Sequence, residues 1–122
     1  MSPRSDELFD RAREGLHSAR DLLAAGHSET AVSTAYYAML YAARAALSER
    51  DRHSRTHRGT WAAFHECFVV DGPFDTELFR AAQHAQQQRE ASDYDAAEIE
   101  PAEAQRLVEF AARFLDAVGA ML

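Results

Sequence analysis

Ala31, Ala35, Ala38, Ala42 and Ala45 recur every three or four residues through a stretch that contains neither glycine nor proline. That recurrence is the period of one face of an α-helix. A face built of methyl groups lets another helix approach closely, so this chain is constrained to helix-on-helix packing. Val32, Tyr36, Met39 and Leu47 form a bulkier stripe beside it. The spacing predicts a helix over about 28–50, with Ser28 as its N-cap.

Four more helices are expected. The first covers about 5–25, with Leu8, Ala12, Leu16, Ala19, Leu22 and Leu23 on its apolar side, and Gly26 placed to end it in a left-handed conformation. The third runs about 57–70 on Trp61, Phe64, Cys67 and Phe68, and Asp71-Gly72-Pro73 stops it. The fourth covers about 75–93, capped by Asp75 or Thr76, with Leu78, Ala81, Ala82 and Ala85 inward. The fifth begins near Pro101, a residue suited to a first helical position, and carries Leu107, Phe110, Ala111, Phe114, Leu115, Val118 and Met121. No strand pattern competes, and no linker or repeat divides the chain. The expected fold is all-α, an antiparallel up-and-down bundle of about five helices forming one domain over 1–122.

Composition narrows the function classes. A net charge of −7 argues against broad coating of DNA. The lone Cys67 excludes an internal disulfide and fits a reducing cytosol, so a cytoplasmic protein is expected. No apolar run approaches the ~20 residues of a membrane span, and the N-terminus has no signal-like apolar segment. All 13 basic residues are arginine, which a GC-rich coding bias explains without function.

Against that acidic background, Arg50 to Arg58 carries four arginines, two histidines and one aspartate, a formal +3, leaving −10 for the remainder. Guanidinium and imidazole side by side can hold a phosphate and move a proton. Within this loop Arg52 and His57 stand in an Arg-x4-His spacing, and Arg55 adds a third candidate. RNA cleavage without a metal needs one group to take the 2′-hydroxyl proton and another to neutralise the phosphoryl oxygens, roles that suit His and Arg. The alternatives are a solvated loop with arginines on Asp51 or Glu49, and a His57 turned into the core. Arg89 and Asp93 lie one helical turn apart with Tyr94 next. They read either as a surface ion pair or as an oriented phosphate-binding fork. Tyr36, Tyr37 and Tyr41 belong more naturally to packing than to base stacking, although the Tyr37 or Tyr41 hydroxyl could reach a ligand. His53 and His57 could share a zinc ion on a helix, but no third ligand accompanies them; no metal and no cofactor are expected.

Several separated motifs together resemble the HEPN-domain family. They are Ala31 to Leu47 with its Ala-Tyr-Tyr-Ala-Met core, Thr56-His57-Arg58-Gly59, Phe64 to Val70, Arg89 to Tyr94, and Ala104 to Leu115. The match runs from about residue 8 to 118. The resemblance implies a helical bundle that pairs into a homodimer with a cleft near the seam. It also implies a metal-independent ribonuclease toxin whose partner is a minimal nucleotidyltransferase antitoxin. On that reading His57 is the acid or base, Arg89 with Arg52 or Arg55 binds the scissile phosphate, Asp93 orients Arg89, and Tyr94 lines the site or accepts a modification. Thr34 stands where the family pattern carries Arg before Ala-Tyr-Tyr. That departure favours the alternative, a non-catalytic module binding a nucleotide or a nucleotidyltransferase.

Overall fold

The computed structural model describes all 122 residues. It is an antiparallel bundle of five helices with no strand: α1 Pro3–Ala24, α2 Ser28–Ser48, α3 His57–Phe64, α4 Thr76–Asp95 and α5 Pro101–Met121. Helix α2 is the axis of the bundle and touches all four others. Its alanine stripe explains why: Ala31, Ala35, Ala38, Ala42 and Ala45 are all buried. The closest partner is α1, where Gly15 sits so near that an added Cβ would lie 3.2 Å from the Ala38 Cβ.

Local chemistry sets most helix ends. Ser2 accepts a hydrogen bond from the Ser5 N–H, Thr56 from Gly59 and Asp75 from Glu77, each satisfying an amide that the first turn leaves free. Gly26 closes α1 at φ +85°, in the left-handed region. Two expectations need correction. Ser28 is not the cap of α2: it is the first helical residue and is buried, and His27 holds the cap position without a side-chain bond. The third helix is α-helical only to Phe64, after which His65–Val69 form a π turn. Three- and four-residue spacing cannot distinguish that wider turn from one more α turn.

The core that this arrangement closes is aromatic at the α3 end. Trp61 meets Phe64, Phe79 and Phe114 edge-on at centroid distances of 6.0–6.1 Å. Phe74 packs against Phe64 and Phe114 at 4.9 and 4.8 Å. Each large side chain taken from water contributes about 1.5–3 kcal/mol. This cluster fixes α3 against α4 and α5, and so places the start of α3 beside the middle of α2 and the end of α4.

Candidate functional site

Tyr36 is the point from which the site grows. It lies on the inner side of α2 with no solvent exposure, so its hydroxyl must find partners inside the protein. Trp61 Nε1 donates to it at 3.0 Å, and His57 Nδ1 lies 3.0 Å away on the other side. Trp61 can only donate, so the Tyr36 oxygen accepts there, and the one acceptor in reach of its own proton is His57 Nδ1. Burial, above all, holds the Tyr36 pKa above its ordinary value, which keeps that proton in place. A neutral His57 is thereby set with its proton on Nε2.

The imidazole sits at the first turn of α3, partly exposed, edge-on to the Tyr37 ring at 5.5 Å. Arg89 comes from α4 and lays its guanidinium over both tyrosines, 5.3 Å from the Tyr36 centroid and 5.4 Å from that of Tyr37. Arg89 is only 13% exposed, and its Nη1 donates to Asp93 Oδ2 at 2.9 Å. Its Nε is buried without an acceptor. A third element contributes Arg44 of α2, whose Nε donates to the buried Thr60 hydroxyl at 3.2 Å.

These surroundings fix the imidazole's charge. Burial first, then the positive charges of Arg89 and Arg44, push the His57 pKa below 6.5; Glu90 opposes them. A cation is disfavoured where two guanidinium groups already stand. An NMR titration is therefore expected to find His57 neutral throughout the neutral range, with its midpoint below 6.5. The unfolded chain takes up this proton more readily than the folded one. The stability that His57 contributes is thus complete above pH 6.5 and is lost as pH falls through the folded midpoint. His57→Gln should remove that component of the acid dependence.

Four residues proposed from the sequence are thus placed together: His57, Arg89, Asp93 and Tyr37. Tyr94 follows Asp93 in the chain, but no contact joins it to the group. Tyr94 itself is 81% exposed and points to solvent. The other two candidates lie elsewhere. Arg52 reaches the π turn, with Nη2 at 3.8 Å from Glu66 Oε2 and Nη1 3.5 Å from Cys67 Sγ. Glu66 is nine residues beyond His57, about 13 Å of helical rise away. Arg55 is exposed and pairs with no carboxylate. The basic loop is therefore not one site. Arg50 covers Phe68, and His53 pairs with Asp51 at 3.2 Å; only His57 joins the constellation. Sequence reasoning assigned Tyr36 and Trp61 to packing alone and passed over Arg44. The i, i+4, i+7 spacing of Tyr37, Tyr41 and Arg44 was the available signal for the last.

A HEPN-domain family model matches residues 5–121. The chain belongs to the HEPN family. A UPF0332 protein of Gloeobacter violaceus is 34% identical over 117 residues, covering 94% of this HEPN chain and 93% of its own. A protein of Methanocaldococcus jannaschii, named "Putative toxin MJ0142", is 31% identical over 104 residues, 84% of this chain and 71% of its own. Two solved structures share the fold. The Thermus thermophilus protein TT1696 superposes with a TM-score of 0.83 at 20% identity, over 99% of this chain and all of that one. ST0689, described as an archaeal HEPN homologue, gives a TM-score of 0.75 at 18% identity over 98% of each. No helix of the chain is long and apolar enough to cross a membrane.

Proposed function

We infer that this HEPN protein is toxin-like and takes an RNA phosphodiester between His57 and Arg89, which it cleaves. One observation carries the reading: an imidazole kept neutral and a nearly buried guanidinium stand against the same two tyrosine rings. In the reaction the RNA 2′ oxygen attacks phosphorus and the P–O5′ bond breaks. The 2′ proton passes to His57 Nε2, and the 5′ oxygen takes one from solvent. Arg89, held in aim by Asp93, neutralises the phosphoryl oxygens as charge builds. Accepting at Nε2 requires the ring to carry its proton on Nδ1 and donate it to the Tyr36 oxygen. Tyr36 then loses the acceptor for its own proton, at a cost of about 1–3 kcal/mol. The toxin designation of the Methanocaldococcus relative supports this class of role. The reading extends to a homodimer and to an antitoxin of nucleotidyltransferase type, to which the exposed Tyr94 hydroxyl is open.

The second reading is phosphate binding without scission. It is favoured by the hydrogen-bond chain from Trp61 through Tyr36, which leaves Nε2 as a donor rather than a base. Incubating single-stranded RNA with the purified protein in EDTA separates the two. New 2′,3′-cyclic phosphate and 5′-hydroxyl ends support cleavage. Intact RNA at protein concentrations that retard it on a gel supports binding alone, and neither result leaves both readings without ground.

A further inference from the structure

Of the 13 arginines, only Arg44 and Arg89 are partly withdrawn from solvent, and the charges of both are felt at His57. Arg89 has Asp93 as its counter-ion. Arg44 has none: no carboxylate reaches it, and its only protein partner is the neutral Thr60 hydroxyl, which it meets through Nε. Thr60 is itself fixed by donating to the Thr56 carbonyl at 2.8 Å, so the Arg44 fork is held in place rather than free to seek water. A half-buried, oriented cation without a counter-ion is unfavourable in the empty protein. It becomes favourable when an anion arrives. Asp93 is taken by Arg89, and Glu90, whose charge is felt at His57, forms no ion pair with Arg44.

We propose that Arg44 is a second phosphate-binding residue, so that the site takes two neighbouring phosphates, one between His57 and Arg89 and the next on the free end of Arg44. This rests on the phosphate-binding part of the reading above and adds to it the ligand class: a strand or nucleotide with consecutive phosphates, not a nucleoside monophosphate. The two side chains enter from different helices, Arg44 from α2 and Arg89 from α4.

The test is the salt dependence of binding. The probes are a single-stranded 2′-O-methyl oligoribonucleotide, which cannot be cut by 2′ attack, and a nucleoside triphosphate. For single strands, the slope of log K against log salt falls by about 0.7 for each phosphate that the protein no longer neutralises. Arg44→Gln is expected to lower the slope by that amount and to weaken binding roughly tenfold or more. Arg44→Lys, which keeps the charge but not the fork, should keep the slope and lose part of the affinity. If Arg44→Gln fails to fold, the weaker affinity of Arg44→Lys carries the test alone. Unchanged slope and affinity in both variants, with Arg89→Gln lowering both, overturns the inference while leaving the His57–Arg89 reading intact. Arg44-dependent binding of the triphosphate alone sustains the inference and removes RNA as the ligand. A wild-type protein that binds neither probe overturns it together with the reading on which it rests.

Discussion

Trp61→Ala should destabilise the protein by about 3–5 kcal/mol, the range for deleting a large aromatic from a packed core. Three phenylalanines lose their edge-on partner at once, and they come from the end of α3, from α4 and from α5. The cavity cannot close easily, because its walls belong to three helices already packed on α2. Against a typical total of about 5–15 kcal/mol, that is a large fraction of the fold's stability. A thermal melt followed by circular dichroism should shift down by roughly 10–20 °C. Trp61→Phe should cost less, since a ring remains, but it deletes the N–H that anchors the Tyr36 hydroxyl. A shift of only a degree or two in Trp61→Ala would show that the aromatic cluster does not hold α3 in place.

His57→Ala is expected to lower RNA cleavage by about 10²–10⁴-fold, the usual contribution of a positioned acid–base group. The fold should survive at a cost of about 1–3 kcal/mol, because the buried Tyr36 hydroxyl loses the acceptor for its proton. Arg89→Met makes the complementary variant. Its apolar stem still covers the tyrosine rings, so the loss, about 10²–10³-fold, would report the charge. Removing that charge also takes away one of the influences that depress the His57 pKa, so the NMR midpoint should move upward. A His57→Ala protein that cuts RNA at the wild-type rate would end the cleavage reading. An unmoved midpoint in Arg89→Met would mean that the guanidinium does not act on the imidazole.

Helix type and order were legible because burying a stripe imposes a period, and each of the five stripes shows it. Ends written in local chemistry were legible too: Gly26, Asp75 and Pro101 act through their own backbone limits or side chains. Ser28 misled because its hydroxyl suits a cap, whereas its actual place depends on how α1 hands the chain to α2. The π turn was invisible since Phe64, Phe68 and Val69 satisfy an α pattern equally well. In the site, Arg89 and Asp93 were readable as neighbours on one helix. Arg52 is close to His57 along the chain, yet its guanidinium follows the loop back onto the π turn, a course that spacing alone does not show. Arg44, Tyr36 and Trp61 could be joined only by knowing where α2 and α3 cross. A tyrosine in an apolar stripe carries no mark of what its hydroxyl touches.

That hydroxyl has a wider consequence. A single oxygen atom ends the aromatic interior on one side and sets the imidazole on the other. Repacking around the indole moves the oxygen that orients the imidazole, so the interior and the ring's placement are not independent. Heritable variation at Tyr36, His57 and Trp61 should therefore travel in compensating sets.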